Sequence, residues 1–223
     1  VVTIMVSLGY AYLVGSVPTA YIVARLRKGV DIRRYGSGNI GASNAGHHVG
    51  KGWFFVVVAF DSLVKGAAPV GLTRALGLDL EYQALAALIA IVGNNWSIYV
   101  GFSGGRGLSV ASGGLLVLAW MELVALLGVA ALGWLVFRSA GLWFGIALLL
   151  LPIWAFFFGE PVEIVVFCVA LLLVCALKRL LSNPGTAAKG QRWRDVAIPR
   201  LLYDRDTSNG GGWVMRTPGE NED

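Results

Sequence analysis

The sequence predicts an all-α, polytopic integral membrane protein with about seven short transmembrane helices, its N-terminus outside and its C-terminus cytoplasmic. Three observations carry this prediction. Hydrophobic residues make up 57% of the 223 and charged residues only 14%, against about 25% charged in a soluble domain. Apolar runs long enough to span a bilayer recur from Val1 to Leu177. Lys and Arg gather in alternate loops, the bias that orients membrane proteins.

The first apolar run, 2–24, carries no positive charge before Arg25. It lacks the basic n-region of a cleavable signal peptide, so it is expected to stay as a span. The second run, 53–72, contains Asp61 and Lys65, and the third, 83–101, ends in "VGNNWSIYV". Residues 108–137 read as one long helix or two short ones. A single helix leaves Glu122 near the membrane centre, at about 2.5–3.5 kcal/mol on insertion scales. A break at Trp120–Glu122 puts the acid at an interface beside a Trp, and is preferred. Runs 142–158 and 161–177 complete the set.

Loop charge sets the topology. One set of loops holds Arg25, Arg27, Lys28, Arg33, Arg34, Lys51, Arg106, Arg138 and everything after Lys178. The alternate set holds Asp79, Glu81, Glu122, Glu160 and Glu163, with Arg74 as its one positive residue. The first set is therefore expected in the cytoplasm. Residues 1–183 form the membrane domain. Residues 184–223, with Pro184, Pro199, Pro218 and the run "SNGGG", read as a cytoplasmic tail, partly disordered. Its "RWRDVAIPRLLY" stretch suits the membrane surface.

Several functions are excluded at this level. The formal charge of +5 belongs to membrane-facing loops near anionic lipid, so no nucleic-acid partner is expected. Cys168 and Cys175, seven apart on one helix, stand about 10 Å apart along its axis, too far for a disulfide with each other. No metal-ligand spacing of Cys or His occurs, and no metal or cofactor is expected.

Three polar islands interrupt the apolar pattern. The first runs Gly36-Ser37-Gly38-Asn39-Ile40-Gly41-Ala42-Ser43-Asn44, followed by His47 and His48. Its glycines allow close backbone approach and its successive N–H groups suit an anion, although such a run also serves as a plain solvated connection. The second is Gly104-Gly105-Arg106-Gly107, opening into an apolar helix with Ser109 and Ser112 in its first turns. A helix N-terminus beside an Arg favours phosphate, and a tight turn with positive-inside character is the plainer alternative. The third is Asp61 with Lys65, one helical turn apart, a structural ion pair or part of a cavity wall. Asn94 and Asn95 add amides that serve helix packing equally well. Two phosphate-suited loops on one side point to a site for an anionic headgroup with an acyl chain; a transporter of phosphorylated substrates fits the same physics nearly as well.

The stretch "YLVGSVPTAYIVARLRKGVDIRRYGSGNIGASN", then Asp61-x-x-x-Lys65-Gly66, then "GNNWSIYVGFSGGRGLS", resembles the bacterial acyl-phosphate:glycerol-3-phosphate acyltransferases over about residues 8–112. The resemblance implies a seven-span enzyme of the plasma membrane, a monomer, with its active site facing the cytoplasm. It implies acyl transfer from an acyl-phosphate to the 1-hydroxyl of glycerol 3-phosphate, giving lysophosphatidic acid and inorganic phosphate for phospholipid synthesis. Neither metal nor acyl-CoA takes part. By motif match, Ser37, Asn39 and Arg106 are the catalytic residues. Gly36, Gly38, Gly41, Ser43, Asn44, His47, Lys65, Asn94, Gly104, Gly105, Gly107 and Ser109 bind substrate and its phosphates. Catalysis then rests on positioning and electrostatics, without a Ser-His-Asp constellation.

The chain departs from the family pattern at five places. Arg106 stands for the usual Lys, Asn94 for a His, His47 for an Arg and Gly141 for a Ser, and "LVCALKRLL" lacks a His and an Asn. His48, Lys178 and Arg179 are replacements by position only. Two other readings stay open: a catalytically degenerate relative that binds phosphorylated lipid intermediates, and a membrane carrier.

Overall fold

A proline breaks the first apolar run before it leaves the bilayer. In the computed structural model, which describes residues 1–181, 193–204 and 217, α1 (Val2–Gly15) ends just ahead of Pro18 and α2 (Thr19–Lys28) begins just after it. Pro18 has no N–H to continue the ladder. The carbonyls freed at the break find partners on other elements: Ser97 Oγ donates to the Ser16 carbonyl, and Lys65 Nζ to that of Val17 at 2.8 Å. A broken span is tolerated in lipid only on those terms.

The sequence places a solvated glycine loop after the first span. The structure keeps that loop to Gly41 and then winds residues Ala42–His48 into a short helix, α3. Gly41 is extended and serves as its N-cap, and the "ASNAGHH" that follows contains no proline.

The second span is α4 (Lys51–Phe60), a π-helical turn over Asp61–Ala67, and α5 (Ala68–Ala75). The wider turn packs against the helix that follows the glycine loop, α7 (Leu108–Leu118). A Cβ on Gly113 would collide with the Ser62 carbonyl, and one on Gly66 with the Val110 carbonyl. Both positions are glycine because backbone meets backbone there. Ser62 Oγ reinforces the seam by donating to the Ser109 carbonyl at 2.8 Å.

The third span is α6 (Leu80–Asn95), followed by a 3-10 turn at Ile98–Val100. The expected split of 108–137 is present: α7 (Leu108–Leu118) and α8 (Trp120–Phe137) part at Ala119. Trp120 is 62% exposed, but Glu122 is fully buried. Two residues apart on a helix they point about 200° away from each other, so a belt Trp turns the acid into the bundle. Helices α9 (Ala140–Phe157) and α10 (Val162–Leu181) form the remaining hairpin.

Among the described residues six helical stretches are long and apolar enough to cross a membrane, and α7 is a shorter apolar helix of 11 residues. At 1.5 Å per residue α7 covers only about 17 Å. Its preceding loop is accordingly drawn into the protein, with Gly104, Gly105, Arg106 and Gly107 all buried. The short helix recesses the glycine loop.

The "RWRDVAIPRLLY" stretch does not simply lie on a surface. Residues Trp193–Tyr203 form α11, which packs on α9 and α10 with Val196 and Arg200 buried. The disorder expected for the rest of the tail falls outside the described residues.

Substituting Gly113 with Leu forces a side chain into the Ser62 backbone. It should lower stability by about 1–3 kcal/mol or more, read as a fall in melting temperature in detergent. Leu at Gly128, whose Cβ position is open, should leave it nearly unchanged.

Candidate active site

Two loops, the helices around them and the end of α11 line a cavity of about 470 Å³. Its polar end is built from Ser37, Asn39, Ser43, Asn44 and His47 on one side, and from Gly105, Arg106, Gly107 and Ser109 on the other. Asp61 and Asn94 close the space between them. Apolar side chains, Phe54, Val58, Leu115, Leu126, Leu127, Phe144 and Leu148, line the rest of it. Polar and apolar groups share one cleft, which fits a ligand with an anionic head and a chain.

The first loop is held from within. Asn44 is 5% exposed, and its Nδ2 donates to the carbonyls of Ile32, Tyr35 and Asn39 at 3.0–3.2 Å. Its amide hydrogens are thereby committed to shaping the loop. Ser37 Oγ accepts the Asn39 N–H at 3.2 Å, and Asn39 Oδ1 is buried with no hydrogen-bond partner. The loop's entry is fixed by Asp31, which accepts from Arg33 Nη2 at 2.6 Å and from the Arg33 backbone N–H. The Arg33 guanidinium holds the Asp31 carboxyl below the usual carboxylate range. Ser43 and His47 are exposed on α3 and line the mouth.

The glycine loop is fixed by α6. The Asn94 carbonyl accepts the Gly105 N–H at 2.9 Å. Gly107 adopts φ +76 as the N-cap of α7, a conformation that disfavours a Cβ. Arg106 is 9% exposed; its Nη1 donates to the Lys178 carbonyl at 2.9 Å, and its Nε lies 2.7 Å from Asp204 Oδ1.

Lys65 is not on the cavity wall. It is 1% exposed and sits behind Asp61 and Asn94, 3.0 Å from Asp61 Oδ1 and donating to Asn94 Oδ1 at 2.6 Å. Thr19 Oγ1 donates to the same Asp61 oxygen at 2.8 Å. Of the two ionised groups, the carboxylate faces the cavity and the ammonium anchors it. Gly36, Gly38 and Gly104 likewise shape the loops without lining the space. Lys178 is 1% exposed and places its ammonium 5.3 Å from the Trp96 ring centroid. Arg179 holds the carbonyls of Leu201 and Gly141. Neither touches the cavity.

The sequence expectation did not include Asp61, Tyr203 or Asp204 among the site residues. Asp61 was legible as the i−4 partner of Lys65. The other two come from α11, whose composition is that of an ordinary interfacial helix. Among the described residues no group of three or more His, Cys, Asp or Glu side chains is placed to hold a metal ion.

The fold is a helical membrane bundle in which two glycine-rich loops meet at one cavity with polar and apolar lining. Comparison with known proteins names the family. Residues 5–184 match the family model of glycerol-3-phosphate acyltransferases, and the chain belongs to that family. It is 37% identical over 210 residues to glycerol-3-phosphate acyltransferase 5 of Dehalococcoides mccartyi, covering 92% of this chain and 90% of that one. Among solved structures it resembles PlsY (YgiH), an integral membrane glycerol 3-phosphate acyltransferase. The match to its glycerol 3-phosphate form has a TM-score of 0.74 at 26% identity, over 79% of this chain and 88% of that one. The lysophosphatidic acid form matches with a TM-score of 0.72 at 25% identity, over the same shares.

Replacing Lys65 with Met leaves Asp61 buried without its cation. The single variant should lose about 3–5 kcal/mol, seen as a large fall in thermal stability in detergent. The double variant Asp61→Leu with Lys65→Met, which removes both charges, should recover most of that loss.

Proposed function

We propose that this chain transfers an acyl group from an acyl-phosphate to the 1-hydroxyl of glycerol 3-phosphate, releasing inorganic phosphate and lysophosphatidic acid. The observation that carries the reading is the cavity in which both glycine loops meet, lined by Arg106 and by apolar side chains together. Family membership and the likeness to an acyltransferase structure in glycerol 3-phosphate and lysophosphatidic acid forms support the acceptor and the product. The acyl-phosphate donor is what the sequence resemblance implies; such a donor brings its own leaving group, so the protein would need only to position two phosphates and stabilise charge.

In this reading Arg106 and the Gly105–Gly107 backbone take a phosphate at the N-terminus of α7. Arg106 supplies a planar, permanently charged fork that suits bidentate phosphate contact. Ser37 and Asn39 face it across the cavity and offer neutral donors to the acceptor substrate and the developing oxyanion. Asn44 keeps the loop in shape, and Asp61 lies close enough to the polar end to accept a hydrogen bond from a substrate hydroxyl. The acyl chain runs along Leu126, Leu127, Phe144 and Leu148.

The spans cross the plasma membrane with the site open to the cytoplasm, because the loops that build it carry Arg33, Arg34, Lys51, Arg106 and Arg138. The chain acts as a monomer, its membrane domain, 1–183, supplying most of the cavity and the tail supplying Tyr203 and Asp204.

Purified protein given palmitoyl phosphate and glycerol 3-phosphate should release phosphate and form lysophosphatidic acid; a rate equal to the enzyme-free control excludes the activity. Turnover with palmitoyl-CoA alone would exclude the donor. Arg106→Ala should cut kcat by at least about 100-fold, and an unchanged rate would remove the glycine loop from the chemistry.

A further inference from the structure

The family match stops at residue 184, yet the cavity is finished by residues beyond it. Helix α11 is held on the bundle by two arginines. Arg179 Nη1 donates to the Leu201 carbonyl at 2.9 Å and its Nη2 to the Gly141 carbonyl at 3.0 Å, while Arg200 Nη1 donates to the Leu180 carbonyl at 3.1 Å. Gly141 has no side chain where α11 arrives: a Cβ there would lie 2.5 Å from the Tyr203 carbonyl. Asp204 then turns out of the helix with φ +57, its N–H still bonded to the Arg200 carbonyl. That turn brings its carboxylate to 2.7 Å from Arg106 Nε, and both Tyr203 and Asp204 line the cavity.

A carboxylate therefore sits on the guanidinium that the proposed function assigns to phosphate. Arg106 is almost completely buried, and its other contact is the Lys178 carbonyl. A second, more highly charged anion brought to the same buried fork would meet the carboxylate at close range in a medium that screens poorly. We infer that residues 193–204 form an arm whose Asp204 occupies the phosphate seat, so that substrate phosphate binds by displacing it and Asp204 sets the affinity for the phosphorylated substrate. The seat is preformed and kept neutral between turnovers, and Arg106 is never left as a lone buried charge. Closing costs apparent affinity in proportion to how fully the arm is docked.

This inference rests on the reading of Arg106 as a phosphate ligand, and the test separates the two. Binding of inorganic phosphate and of glycerol 3-phosphate to the purified full-length chain is measured by calorimetry, alongside KM and kcat for glycerol 3-phosphate. Asp204→Asn, which keeps the shape and removes the charge, should tighten both ligands roughly tenfold and lower KM by a similar factor. Gly141→Ala, which pushes Tyr203 off its seat without touching either charge, should shift affinity in the same direction. Arg106→Ala should abolish phosphate binding in either background. Phosphate binding by the wild-type chain that is unchanged or weaker in both variants overturns the inference and leaves the proposed function standing; weaker binding alone would make Asp204 a positioning group for Arg106. No phosphate binding by wild type or variants overturns both.

Discussion

The ammonium of Lys65 is where the first three spans meet, and the architecture of the site depends on it. It reaches the carboxylate of Asp61 on its own span, the Val17 carbonyl left bare by Pro18 on the first, and the Asn94 amide oxygen on the third. The ammonium itself, 1% exposed and off the cavity wall, has no water as an alternative partner. Each oxygen alone would be a buried polar group at a helix break or on a cavity wall, and the lysine alone would be an untenable charge. Together they satisfy one another. The π-helical turn at Asp61–Ala67 fits this role, since such turns add a residue and re-aim side chains.

From that anchor the polar end of the cavity follows. Asn94, with its side chain held by Lys65, uses its main-chain carbonyl to fix Gly105. Gly105 leads into Arg106 and the N-terminus of α7. On the far side of α7, the contact of Gly113 with Ser62 returns the chain to the same π turn. The second span and the glycine loop are thus tied at two points, and the loop stays recessed because α7 is too short to hold it at the surface. Rigid, backbone-defined loops of this kind suit a reaction whose demands are positioning and charge stabilisation rather than a nucleophilic side chain.

Substitutions that look like losses against the family pattern acquire a context in the structure. Gly141 makes room for Tyr203. Arg179 spends its donors on Leu201 and Gly141, fastening α11. Arg106 has a fork wide enough to meet the Lys178 carbonyl and Asp204 at once, which a point-like ammonium would do less well. These three positions all meet α11 or the residue that ends it, so one helix ties them together. For the change at His47 the structure offers only exposure at the cavity mouth.

The helical spans, the break before Glu122 and the presence of two glycine-rich loops were legible in the sequence, because hydropathy and glycine spacing are local and a bilayer enforces them residue by residue. The pairing of Asp61 with Lys65 was legible for the same reason: one helical turn separates them. Which of the pair faces the cavity was not, because that is decided by where Asn94 and Val17 lie on other spans. The inward turn of Glu122 was hidden by its neighbour Trp120, whose interfacial preference is satisfied whichever way the acid points. Least legible was α11. Nothing in "RWRDVAIPRLLY" marks it as part of a site; its place comes from Arg179, Gly141 and Arg106, residues contributed by three separate parts of the chain. Local chemistry wrote the spans and the loops, and only the folded bundle decided which carboxylate reaches which cation, because charges buried in lipid must find partners across the structure rather than along the chain.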